Sequence, residues 1–323
     1  MFMKTHRQTL ADVCEVTGRG YWSGKSVRVV MHPAADGAGV TLCRTDLPRQ
    51  PSIAATIDFQ IPTPLRTILQ GGTASFQMVE HLMAALAGLG VDDCRVEIDG
   101  EELPGLDGSS HAFVEAITEV GLATQPSVRT PLVITQSFRM AGGGGWIQVD
   151  PSFAGESYFE YQLAFDDHTP VRPQAFGAAM DAERFIHSVA PARTFVTEAQ
   201  AGEIRRRGLA SHVTNRDLLV IGSSGPIDNE YRFENECARH KTLDLIGDLA
   251  LCGVPLIGRF VSYRGGHTLN GRMAARLAIL ARRGGIPYLT MDGFASDPPA
   301  KIHDPDVHDA SDRDPSSTAR HAA

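Results

Sequence analysis

The stretch from about Asn235 to Leu251 reads as one helix, and it limits the fold more than any other segment. Leu243, Ile246, Ala250 and Leu251 can face a core from several of its sides, while His240, Asp244 and Asp248 stand at i, i+4 and i+8. At about 100° per residue these three share an arc of roughly 80° on one helix face. A His and an Asp one turn apart can ligate a single metal ion, since imidazole nitrogen and carboxylate oxygen both reach about 2.0–2.2 Å from zinc. The same spacing also suits a plain His–Asp pair across one turn, and the short pattern does not decide between the two.

A second apolar stripe, Val79, Leu82, Met83 and Leu86, predicts another helix, with the consecutive polar pair Glu80 and His81 at its start. Polar groups entering an apolar run need partners. His81 either completes a two-histidine, one-aspartate metal set with Glu80 beside it as a general base, or is a satisfied core histidine next to a first-turn carboxylate. A third piece is Tyr263-Arg264-Gly265-Gly266-His267, a strand end and glycine turn that present His267 to a ligand or to solvent. Asp248 is placed to orient that histidine and to stabilise its charged form.

Strand signals at Val27–Met31 and Cys94–Ile98 and a further helix stripe at Phe113, Ala116, Ile117 and Val120 make the chain a strand–helix mixture, which suits an α/β or α+β fold. The polar stretch Ala123–Ser127 marks the expected break between a first domain, 1–125, and a second, 126–296. The second half adds strand signals at Leu132–Phe138, Trp146–Val149 and Tyr158–Phe165 around a turn at Gly142–Gly145. No sequence repeat relates the halves. From Asp297 the chain is rich in Pro, Asp, Ser and His, so a disordered tail is expected over 297–323, with His303, His308 and His321 forming no site.

Composition removes several classes of function. With 30 Lys+Arg against 38 Asp+Glu the net charge is -8, which disfavours nucleic acid as a partner. The apolar run Leu243–Ile257 is interrupted by two aspartates and two glycines, short of the about 20 residues a membrane span needs. The polar start supplies no secretory core, so a cytoplasmic location is expected. Five scattered cysteines without a CxxC argue against a disulfide framework or a thiolate zinc site.

Taken together, "VEHLMAALAGLGVDDCRVEIDG", "ELPGLDGSS", "ARTF", "RFENECARHKTLDLIGDLALCG" and "GGHTLN", in that order over most of the chain, resemble the zinc-dependent UDP-3-O-acyl-N-acetylglucosamine deacetylases of lipid A biosynthesis. The resemblance implies two α+β domains, each a sheet layered against helices, with the active site between them. It implies Zn2+ held by His81, His240 and Asp244, Glu80 as base, Thr194 on the developing oxyanion, and His267 as acid steadied by Asp248. Lys241 would meet the substrate's phosphates or carbonyl oxygen, or would remain a solvated lysine. Arg264, where relatives often carry lysine, would serve the diphosphate, and Phe165 and Phe195 would pack on sugar or uracil, with core packing open for Phe165. The substrate implied is an acylated UDP-amino sugar, handled by a monomer that touches the inner membrane at most peripherally.

Two departures stand out: Gly145 precedes Trp146 where relatives have a basic residue, and Gly208–Thr214 lacks a familiar glycine pair near the expected acyl passage. His212 in that segment reads as incidental, and Arg205–Arg207 as a solvated helix face. Two other readings remain at this point, a noncatalytic nucleotide-sugar-binding paralogue with structural zinc, and a deacetylase of another N-acetyl sugar.

Overall fold

A computed structural model of the chain describes residues 5–165 and 169–284. The β-branched run near Val29 and the alternating run after Cys94 form neighbouring strands of a five-stranded sheet. Its spatial order is Cys14–Arg19, Ser26–Pro33, Cys94–Ile98, Val40–Arg44, Ser52–Ala54. A second sheet runs Phe138–Gly142, Gly145–Asp150, Leu256–Tyr263, Ser157–Leu163, Gln174–Ala179. In both, the last strand in the chain lies at the centre, between the second and the third. It runs antiparallel to the second and parallel to the third. The halves therefore share one topology although their sequences show no repeat, because each needs only the same order of apolar strands and helices.

The helices repeat the plan. In the first half α1 (Glu80–Leu89) precedes the central strand and α2 (His111–Val120) follows the sheet. The second half inserts α3 (Ala182–Ser188) and α4 (Glu198–Arg206), and then α5 (Glu236–Ala250) and α6 (His267–Arg282) flank its central strand. α1 and α5 pack on each other in the middle of the molecule. One continuous core runs from Val29, Leu42 and Val96 through Leu82 and Leu86 of α1 and Leu243 and Leu249 of α5 to Phe260. This explains why α1 and α5 are apolar on so many sides: they are covered on so many sides.

Each half carries an insertion just before its central helix. In the first it is a small antiparallel sheet of Gln60–Ile61, Ile68–Gly71 and Ala74–Gln77. In the second it holds α3, α4 and the strands Phe195–Thr197, Leu219–Gly222 and Gly225–Pro226. Both insertions deliver residues to the same site.

Some expected boundaries differ. Ala123–Ser127 belongs to a strand, Leu122–Val128, which pairs antiparallel with His6–Leu10. Of Leu132–Phe138 only Leu132–Val133 is a strand, parallel to the start of the central one. Ile134 still bonds to Ile257 O, and the polar Thr135–Ser137 then breaks away before Phe138 begins a new strand. Gly143 and Gly144, both at positive φ (60° and 78°), make the tight turn there. The five cysteines are free and buried, and Arg206 and Arg207 lie exposed beside Glu203. No helix among the described residues is long and apolar enough to cross a membrane. The tail from Asp297, with its histidines, lies outside the described residues.

Candidate metal centre

The spacing that put His240 and Asp244 on one face of α5 brings them opposite His81, in the first turn of α1. Their ligand atoms all lie within 4.8 Å of one another. His240 Nε2 is 3.3 Å and His81 Nε2 3.9 Å from the same atom, Asp244 Oδ1. Ligands about 2.0–2.2 Å from a tetrahedral metal lie about 3.3–3.6 Å apart, so the two edges that meet at Asp244 Oδ1 need little adjustment. Asp244 Oδ1 is also buried without any hydrogen-bond partner. Folded interiors rarely leave such an atom unpaired, and a cation between it and the two imidazoles would supply what is missing.

The electrostatics fit the same group. Burial, with His240 adding, pushes the His81 imidazole down to about 3, and burial also lowers His240, so both rings are neutral and offer lone pairs. His240 Nδ1–H donates to Ala192 O at 3.1 Å, which leaves Nε2 as the free nitrogen. Burial works against the Asp244 carboxylate, but the attraction of its basic neighbours, with the Lys241 ammonium 2.6 Å away, outweighs it and holds Asp244 far below the usual range. Two neutral nitrogens and one carboxylate make a donor set suited to zinc.

Beside the ligands stand two more titratable groups. Glu80 is buried, its Oε2 accepts the Thr67 N–H at 3.0 Å, and burial pushes its carboxyl up to about 7 against the pull of His267. His267 is the first residue of α6 rather than part of a loose glycine turn, and it too is buried. Its Nδ1–H donates to Asp248 Oδ2 at 2.9 Å, while Nε2 faces Asp244 Oδ2 at 3.8 Å. Burial would lower this imidazole, but Asp248 outweighs burial and raises it to about 9.

The remaining expected residues surround this cluster. Lys241 Nζ donates to Asp244 Oδ2 at 2.6 Å, so its head group lies at the centre's edge rather than free in solvent. Thr194 is half-buried between two residues that touch His240: Ala192, through its carbonyl, and Phe195, whose ring meets the imidazole edge-on at 6.4 Å. Phe165 stacks edge-on against Phe195 at 6.5 Å and is 39% exposed, so its open side faces outward rather than into the core. Arg264 closes the central strand at positive φ (51°). The Gly145 departure has a reason here, since a Cβ on Gly145 would lie 2.6 Å from the carbonyl oxygens of both Tyr263 and Arg264. His212 Nε2 bonds to Gly20 O at 2.8 Å, which ties its segment to the first half.

Three further residues support the site without having been singled out in the sequence. Thr67, in the first insertion, donates its hydroxyl to Asp248 Oδ1 as well as its amide to Glu80. Asn270 Nδ2 donates to Asp248 Oδ2 at 2.8 Å, and its position one turn after His267 on α6 is the clue that was there to use. Arg193 forms a buried pair with Glu236, Nε to Oε1 at 2.8 Å, and so fixes the segment whose Ala192 carbonyl orients His240.

A family model described as LpxC, UDP-3-O-acyl N-acetylglycosamine deacetylase, matches residues 7–279. A Nostoc sp. protein named UDP-3-O-acyl-N-acetylglucosamine deacetylase is 39% identical over 287 residues, 86% of this chain and 100% of its own length. Proteins of the same name from Citrifermentans bemidjiense and Brucella ovis are each 36% identical. They cover 84% and 85% of this chain and 88% and 96% of their own lengths.

Proposed function

Since the chain belongs to the LpxC family of UDP-3-O-acyl N-acetylglycosamine deacetylases, we propose that it hydrolyses the acetamide of a UDP-3-O-(3-hydroxyacyl)-N-acetylglucosamine, releasing acetate in lipid A biosynthesis. The observation that carries this reading is the unpartnered Asp244 Oδ1 facing His81 and His240, flanked by a buried carboxylate on one side and a carboxylate-paired imidazole on the other.

His81, His240 and Asp244 would hold Zn2+. When bound, zinc acidifies water and polarises the carbonyl it faces. Glu80 takes a proton from the attacking water as oxygen adds to the acetamide carbon; a carboxylate near pKa 7 is matched to that task at neutral pH. The Thr194 hydroxyl and the Lys241 ammonium stabilise the negative charge that develops on the carbonyl oxygen. His267, protonated on Nδ1 toward Asp248, delivers a proton from Nε2 to the departing amine, and the C–N bond breaks to leave acetate and a free amino sugar. Phe165 and Phe195 give the sugar or uracil an aromatic face, and Arg264 meets the diphosphate.

The same reading makes the protein a cytoplasmic monomer of two domains, which meets the inner membrane only through its lipid-bearing substrate. A binding-only paralogue is less well supported, because a structural zinc needs neither Glu80 beside a ligand nor an Asp248-paired His267. The test is acetate release from the acylated UDP-sugar by purified protein, before and after chelation. Release that stops on chelation and returns with zinc supports the reading, and no release at any acyl length despite bound zinc overturns it.

A further inference from the structure

The proton acceptor and the proton donor of this site come from different halves of the fold, Glu80 from α1 and the Asp248–His267 pair from α5 and α6. Thr67 touches both. We propose that Thr67 is a positioning residue that holds base and acid in one register, its amide fixing Glu80 and its hydroxyl fixing Asp248 and, through it, His267. The proposal rests on the hydrolase reading above.

Thr67 is 1% exposed, and each of its polar contacts is directed. The amide N–H reaches Glu80 Oε2 at 3.0 Å. The hydroxyl has one proton, which it gives to Asp248 Oδ1, so toward His267 Nδ1, 3.2 Å away, it can only accept. The Nδ1–H thus lies between two acceptors, Asp248 Oδ2 at 2.9 Å and Thr67 Oγ1 at 3.2 Å. That arrangement keeps a proton on Nδ1 and leaves Nε2, which faces the metal ligands, as the atom that gives and takes protons.

The loop that presents Thr67 is itself anchored to both halves. Thr63 Oγ1 donates to Arg66 O within the loop, and Thr268 of α6 donates to Thr63 O at 3.2 Å. On the other side, Arg66 Nε reaches Gln77 Oε1 at 3.0 Å, and its guanidinium lies 4.7 Å over the Trp22 ring. A threonine serving only as a buried hydrogen-bond donor to Asp248 would not need its backbone on the base as well.

The test replaces the hydroxyl and keeps the amide. In Thr67→Val, kcat should fall about 10- to 100-fold while KM and zinc content hold, the scale expected for a partner that orients a catalytic group. Thr67→Ser should recover most of the loss. Proton NMR of 15N-histidine-labelled holoprotein reads the geometry independently: the His267 Nδ1–H resonance should shift or broaden in Thr67→Val and return in Thr67→Ser. Should Thr67→Val not fold, Thr67→Ala carries the same expectations. An unaltered kcat, an unaltered His267 resonance, or a loss that serine does not restore would each overturn the proposal. If the parent protein releases no acetate yet the resonance responds as described, the hydrolase reading fails and the positioning role stands.

Discussion

A Cβ placed on Gly247 of α5 would lie 2.1 Å from the carbonyl oxygen of Glu80 on α1, and 3.1 Å from Ala84 N. The two helices meet backbone to backbone beside the candidate metal ligands, and only a residue without a side chain allows it. Alanine in a helix interior is ordinarily better than glycine by about 0.5–1 kcal/mol. At Gly247 that gain is outweighed, because the obstacle is backbone and cannot swing away; overpacking of this kind costs about 1–3 kcal/mol. Gly247→Ala should therefore lower thermal stability and, by moving α1 off α5, weaken zinc binding. Calorimetry and a zinc titration measure both, and an unchanged zinc affinity would refute the link between this close approach and the site.

Glu80→Gln keeps the shape of the side chain and removes its basicity. Turnover should fall by about 10²- to 10⁴-fold, the usual contribution of a general base, with the zinc content of the purified protein unaltered. Comparable activity in the variant would remove Glu80 from the mechanism.

The pH profile of kcat/KM should be bell-shaped. As the proposed base Glu80 would work only when ionised, and burial pushes its carboxyl up to about 7, so activity should rise as pH climbs through that region. As the proposed acid His267 would work only when protonated; burial opposes its charge but Asp248 raises it to about 9, so activity should fall as pH passes above it. A bound cation repels protons from both groups and moves both limbs toward lower pH. Asp248→Asn should bring the alkaline limb down further, and an alkaline limb indifferent to that change would rule out the Asp248–His267 pairing as its origin.

Removing the cation should destabilise the fold. A ligand at about 100 times its dissociation constant stabilises the folded state by about 2.7 kcal/mol, or about 4 °C in Tm for a chain of this size. Chelation should lower Tm by that order and zinc should restore it. Asp244→Asn should remove most of the increment, since Asp244 Oδ1 is the atom both imidazoles face.

Glu236→Ala tests how His240 is held. It leaves Arg193 buried without its carboxylate and frees Arg232 N, which bonds to Glu236 Oε2. Breaking a buried pair this way costs about 3–5 kcal/mol. The loosened Ala192 carbonyl should also release His240 Nδ1, so zinc affinity should drop along with Tm, and Tm falling alone would separate the two.

The ligand helices were legible because their pattern is local. His240 and Asp244 are one turn apart whatever surrounds them, and the apolar stripes of α1 and α2 identify helices without reference to neighbours. Boundaries were less so. Ala123–Ser127 looks like a linker because it is polar, yet it is a strand whose partner, His6–Leu10, lies more than a hundred positions away. The start of α6 at His267 was hidden behind two glycines that read as a flexible turn.

The sequence by itself determined the helices that carry the candidate ligands, since periodicity and spacing are properties of a single segment of backbone, and it linked His81, His240, Asp244, Glu80 and His267 only through resemblance. Only the tertiary structure decided how those groups are used. The free nitrogen of His240 is set by a carbonyl 48 residues earlier, and the orientation of Asp248 by a hydroxyl 181 residues away. A buried donor or acceptor takes its direction from whichever partner packing brings within reach, and no local pattern specifies that partner.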